Sequence, residues 1–143
     1  MGHATKFEDF FTKPDKQYST SIAGTQKNQL EEAIFEALEG IRKDLELSQS
    51  HFSNIIHVAP GTYSTWKDNG RINLSKNLTL NDIGILKFID LYDAITSLFA
   101  ERSDYIEWFN NPIFDNRSPL KSMEDDPAAV LDLNRYTNWL INP

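Results

Sequence analysis

From Gln29 onward, apolar residues recur every three or four positions. Leu30, Ala33, Ile34, Ala37, Leu38, Ile41 and Leu45 fall on one stripe, with Glu31, Glu32, Glu36, Arg42 and Lys43 on the other faces, which predicts a helix with one buried side. A second helix is expected from Ser48, whose hydroxyl suits an N-cap, with Phe52, Ile55 and Ile56 turned inward and an end near His57. Pro60 suits the first position of a short third helix, because its missing N–H has no helical partner there; Tyr63 and Trp66 would face the core before Asn69 and Gly70 stop it. A longer helix is expected over Asn81 to Arg102. Its apolar face is wide, with Ile85, Phe88, Ile89, Tyr92, Ile95, Leu98 and Phe99 joined by Ile83, Leu86 and Leu91, which implies burial on two sides. Ser103 suits the cap of a further short helix holding Tyr105, Ile106, Trp108 and Phe109, which Pro112 ends. A final helix is expected from Asp126 and Pro127, with Val130, Leu133, Thr137 and Leu140 on one side. No segment alternates as a strand does, so the expected class is all-α.

The first 28 residues show neither period. They read as an arm, either solvated or docked through Phe7, Phe10 and Phe11 on the core or on a second subunit. The expected organisation is therefore an arm over 1–28, a helical domain over 29–80 and a second helical module over 81–143. The net charge of −7 argues against a protein that coats nucleic acid by charge alone. Its distribution changes that picture: residues 81–143 carry five basic against eleven acidic side chains, whereas Ser48 to Leu80 holds Lys67, Arg71 and Lys76 against Asp68 alone.

That locally basic stretch has a second property. Leu47 to Gly70, LSQSHFSNIIHVAPGTYSTWKDNG, is organised as a helix-turn-helix: Ser53 is small where two helices would cross, Ile56 and Val58 bracket the turn, and Tyr63 and Trp66 anchor the second helix so that its other face is free for a groove. The pattern resembles the Xre-type motif over its full length. Thr62, Ser64 and Thr65 are the candidates for base-edge contact, and Gln49, Lys67 and Arg71 for phosphates. Two departures weaken base reading: His57 stands at the usual turn glycine, and Pro60 and Gly61 bring no hydrogen-bonding side chain to the start of the second helix. A helical hairpin that serves only as scaffold is the alternative.

Leu98 to Met123, LFAERSDYIEWFNNPIFDNRSPLKSM, extends the resemblance. A helix ending in Trp108 and Phe109, a loop with Asn111 and Pro112, and the pair Pro119 and Leu120 opening a new short helix together look like the toxin-binding module of the Xre/MbcA/ParS antitoxins, a likeness spanning roughly Leu30 to Leu140. Pro112 and Pro119 would fix the loop, Asn111 and Ser118 would satisfy its amides, and Trp108 and Phe114 would fill the space beneath. Asn116 stands where the family commonly has glycine, and asparagine also tolerates a left-handed backbone. The resemblance implies an antitoxin of a type II system that neutralises a co-encoded RES-type, NAD-consuming toxin by covering its active-site cleft. On this chain the implied contact segment is Leu131 to Pro143, with Asn134, Arg135, Asn138 and Trp139 as contact residues. Autorepression through operator DNA and assembly as a homodimer or larger oligomer are further expectations, and truncation before Leu131 is expected to leave the fold intact.

Candidate chemistry is sparse. The sequence has no cysteine, and His3, His51 and His57 lack the i, i+4 helical spacing of a metal pair. No phosphate loop or nucleophile elbow is present, and the acidic residues read as members of polar faces, with Glu124, Asp125 and Asp126 as a helix start. No enzyme activity and no cofactor are expected. With no apolar run long enough for a bilayer and no signal-like start, a cytoplasmic setting without membrane contact is expected. A stand-alone repressor and a protein-binding adaptor that has lost DNA contact are the alternatives.

Overall fold

The computed structural model describes residues 20–113 and 115–143, with side chains from residue 26 onward. Seven helices occur among them: α1 (Thr20–Asp44), α2 (Gln49–Ile55), α3 (Pro60–Asn69), α4 (Leu80–Leu98), α5 (Arg102–Asn110), α6 (Pro119–Asp125) and α7 (Ala129–Ile141). The described residues include no strand, so the all-α class holds. The Phe-rich arm and Phe114 lie outside the described residues.

Helix α1 begins at Thr20, ten residues before Leu30 opens the apolar stripe, which corrects the boundary placed at residue 28. A nucleated helix extends by one hydrogen bond per residue fixed, so polar residues join it without a buried face of their own, and the Lys27–Glu31 ion pair at i, i+4 supports the join. The stripe itself is as expected: Leu30, Ile34, Leu38, Ile41 and Leu45 are buried.

The end signals of α2 and α3 match local physics. Ser48 caps α2 by accepting the His51 N–H at 3.0 Å, and Pro60 opens α3. Gly70 ends α3 in the left-handed conformation at φ 71°, and its N–H returns to the Trp66 carbonyl. Phe52, Tyr63 and Trp66 are buried, with the Phe52 ring edge-on to Phe88 of α4 at 5.6 Å. That contact makes the two expected modules share one core, running from Leu30 to Leu133.

Helix α4 is held at its start by a reciprocal box that the sequence reading passed over. Thr79 Oγ1 accepts the Asp82 N–H at 3.1 Å, and Asp82 Oδ2 accepts the Thr79 N–H at 3.1 Å. It ends at Leu98, four residues before the expected Arg102, with Phe99 extended. The Thr96 and Ser97 hydroxyls both donate to the Asp93 carbonyl, bonds that compete with the helical ladder at its end. Ser103 does not cap α5. The cap position is Glu101, without a side-chain bond, because Arg102 is drawn to Asp44 and Glu46 and sets the helix start.

The acidic run is corrected as well. Glu124 and Asp125 close α6 rather than opening the last helix, and Lys121 and Arg117 offset their charge at that unfavourable end. Ser118 caps α6 at Lys121 N, and Asp115 and Asn116 both take left-handed backbones, the latter at φ 62° where the family resemblance suggests glycine. Asn111 is exposed and satisfies no buried amide. Helix α7 then runs in the same direction as α4: Gly84 lies against Val130, and one turn on the Lys87 carbonyl meets Asn134. Val130, Leu133 and Thr137 are buried as expected, but Leu140 sits at the edge of that stripe and is exposed.

Candidate functional site

The outer face of α3 follows from its inner one. Tyr63 and Trp66 point to the core, so Thr62, Ser64, Thr65 and Lys67 are exposed, with Arg71 exposed just beyond the C-cap. Thr62, Thr65 and Arg71 line one shallow cleft with Asn69 and Asn73, about 450 Å³ in volume, so these three candidates are brought together. Gln49 is half-buried on the first turn of α2, and its carbonyl accepts the Ser53 hydroxyl at 2.7 Å. Ser53 is fully buried at the crossing, the small residue that close approach requires.

Two acidic features tint this face. Asp68 stands one turn beyond Ser64, on the same outward stripe. The acidic end of α6 lies beside the turn: Glu124 and Asp125 line a hollow with Asn54, His57 and Ala59, and Glu124 is 3.5 Å from His51 of α2. His51 therefore has a carboxylate neighbour. His57 takes the left-handed conformation at φ 58°, the geometry of the glycine it replaces. Its Nε2 lies 2.6 Å from the Met123 carbonyl of α6; a carbonyl only accepts, so this nitrogen carries the proton. A side chain glycine lacks thus ties the turn to the C-terminal half.

Behind α3 sits a polar network that sequence reading missed. Glu39, assigned by pattern to no apolar stripe, is buried; it takes two bonds from Arg42, at 2.8 and 3.0 Å, and one from the Tyr63 hydroxyl. The Arg42 guanidinium, with help from Tyr63, lowers its pKa to about 2 despite the opposing effect of burial. Burial and the Glu39 carboxylate raise the Tyr63 phenol well above its usual range. Glu31, read as part of a polar face, is only 2% exposed; it accepts the Leu74 N–H at 2.7 Å and pins the chain leaving α3. Asp44 gathers the hydroxyls of Tyr92 and Tyr105 at 2.5 and 2.6 Å and Arg102 Nε at 2.8 Å; burial opposes its charge, yet these donors hold its pKa below the ordinary value. The expectation that acidic residues avoid apolar surroundings is corrected at these positions. Their partners lie up to 61 residues away, beyond the reach of any local pattern.

Helix α7 distributes its candidates differently. Asn134 is 6% exposed, its amide donating to the Lys87 carbonyl at 3.0 Å and its oxygen accepting from Asn138 at the same distance. It is a packing residue between α4 and α7, which corrects its assignment to an outer contact surface. Arg135 and Trp139 do face outward. Trp139 is 62% exposed and stands with Tyr136, Leu140 and Ile141 as exposed apolar bulk, so it is not a core residue. Asn138 is exposed beside them.

One apolar cleft of about 260 Å³ lies where three segments meet: the turn after α2, the start of α4, and the junction of α6 and α7. Ile56, Phe88, Met123 and Val130 form its walls, and Leu80, 85% exposed, stands at its rim. Among the described residues there is no group of three His, Asp or Glu side chains placed to hold a metal, and no helix long and apolar enough to cross a membrane. Compared with known protein families and with curated proteins, the chain matches none.

Proposed function

We propose that this protein is an antitoxin-type regulator: a binding protein that neutralises a toxin of the RES type through its C-terminal helix and represses its own operon through α2 and α3. The observation that carries this reading is the segregation of two outward surfaces on one core. One is the polar, partly basic face of α3 with Thr62, Thr65 and Arg71; the other is the apolar outer face of α7 with Arg135 and Trp139. Tryptophan and arginine are among the residue types enriched at the energetic centres of protein interfaces. The exposure of Lys67 and Arg71, cations able to meet phosphates, supports modest DNA affinity that falls as salt rises.

The test is co-expression with an NAD-consuming partner while cellular NAD is followed. Truncation before Leu131 is unsuitable, because it would strip Leu133 and Thr137 from the face of α4 that they cover. Arg135→Ala and Trp139→Ala, both on the exposed face, are expected to abolish NAD protection while the fold persists; full protection by the double variant would refute the assignment. Arg71→Ala is expected to weaken operator and random duplex alike, read as a shallower salt dependence.

A second reading, the protein-binding adaptor without DNA contact, has its own observation. Ala59, Pro60 and Gly61 are exposed where base-reading side chains would stand, and Asp68 and the end of α6 bring negative charge to that side. Absence of any salt-sensitive duplex binding by the purified chain would favour the adaptor.

A further inference from the structure

We infer that α7 pairs with α7 of a second copy in antiparallel fashion, each copy seating its Trp139 on the apolar cleft of the other. The inference goes beyond the toxin reading and does not need it.

It starts from helical geometry. At 3.6 residues per turn Trp139 lies roughly 180° around α7 from the buried Val130, and among the described residues it is left 62% exposed. Ala128, Asp132, Arg135 and Trp139 are all exposed and follow the i, i+4, i+7, i+11 spacing of a single seam. That seam is self-complementary. Asp132 and Arg135 straddle the midpoint between Leu133 and Asn134, and Ala128 and Trp139 straddle the same midpoint at greater distance. A two-fold axis there sets Asp132 against Arg135 of the second copy, twice, and lays each Trp139 over Ala128 of the other, at the edge of the cleft that Ala128 and Leu131 help to line. Within one chain Arg135 and Asp132 approach only to 3.6 Å with side chains 79% and 73% exposed, an arrangement of little value until another surface covers it.

The cleft has the character of a receptor. Its volume, about 260 Å³, suits one large aromatic side chain, and the exposed Leu80 at its rim would be covered by the incoming ring. Gly84 keeps it open. A Cβ there would meet only Val130 Cγ1, at 3.9 Å, so packing does not require glycine, and alanine would favour the helix. A residue unfavourable to its own helix thus lines a cleft that the described residues leave unfilled. Pairing also occupies Arg135 and Trp139, so any second protein recognising this face must displace the other copy.

Sedimentation equilibrium of the purified chain, with neither toxin nor DNA, tests this apart from the functional reading. The wild-type chain is expected to dimerise, and Trp139→Ala to weaken the dimer about a hundredfold. Asp132→Arg and Arg135→Asp are each expected to weaken it about tenfold, and the two together to restore it, since the exchanged charges still face each other. Gly84→Met, which fills the cleft, is expected to weaken association with helicity unchanged by circular dichroism. A monomeric wild type, an unaltered dimer in Trp139→Ala, a double charge variant no better than the singles, or full association in Gly84→Met would each overturn the pairing.

Discussion

Helices α3 and α7 treat their aromatic residues in opposite ways. In α3 the rings of Tyr63 and Trp66 are inside, and the outer face carries Thr62, Ser64, Thr65 and Lys67. In α7 the buried stripe admits two polar side chains, Asn134 and Thr137, while Trp139 is left outside. An amphipathic helix gains most by turning its largest apolar group inward, so a tryptophan left outside adds little to its own fold, which suits the partner-binding role proposed for it. The aromatics of α3 hold a scaffold, and that of α7 is available to a partner.

The sharpest way to break this contrast is to truncate both. Tyr63→Ala should lower unfolding free energy by about 3–5 kcal/mol, as for other large buried rings, whereas Trp139→Ala in the dilute chain should change it by less than about 0.5 kcal/mol. Denaturant titrations giving equal losses would end the distinction.

Next in size is the support behind Tyr63. Glu39 has its pKa lowered from 4.5 to about 2 in the folded chain, so its contribution is fully present above pH 4.5 and disappears as the pH falls toward 2. Glu39→Gln should cost on the order of 2–3 kcal/mol at neutral pH and flatten the fall in stability across that acid window. An unchanged acid profile would show that the carboxylate is not held by Arg42 and Tyr63.

On the α7 side, Asn134→Ala removes a buried amide from the Lys87 carbonyl and should destabilise by about 1–2 kcal/mol, while Arg135→Ala one residue on should leave thermal stability almost unchanged. Thr79→Ala, which breaks the box at the start of α4, should cost about 1 kcal/mol without touching either surface. Unchanged denaturant stability in Thr79→Ala would show that the box contributes nothing to the helix start.

Sequence reading reached the helices where the signal is local. The stripe of α1 from Leu30 to Leu45, the Ser48 cap, Pro60 at the head of α3 and Gly70 at its end are all interactions between residues within a few positions, and each is where periodicity and capping placed it. Reading failed at the joins. Whether α4 stops at Leu98 or Arg102, and whether Glu124 and Asp125 open one helix or close another, depends on competing bonds of similar strength: Ser97 back to Asp93, Arg102 across to Asp44, Lys121 and Arg117 to Asp125. Of the proposed outer contacts, Thr62, Thr65 and Arg71 share a cleft, whereas Asn134 turned inward because α7 runs alongside α4 and presents that residue to the Lys87 carbonyl.

The sequence alone determined the all-helical class, most of the inward-facing positions and the site of the turn at His57. Only the tertiary structure decided that Glu31 and Glu39 are buried, that the His57 ring reaches Met123, and that a cleft opens beside Gly84. The reason is one of range. Backbone hydrogen bonds and caps act over three or four residues and leave a periodic trace, whereas the burial of a carboxylate or the opening of a cleft is set by how distant helices cross.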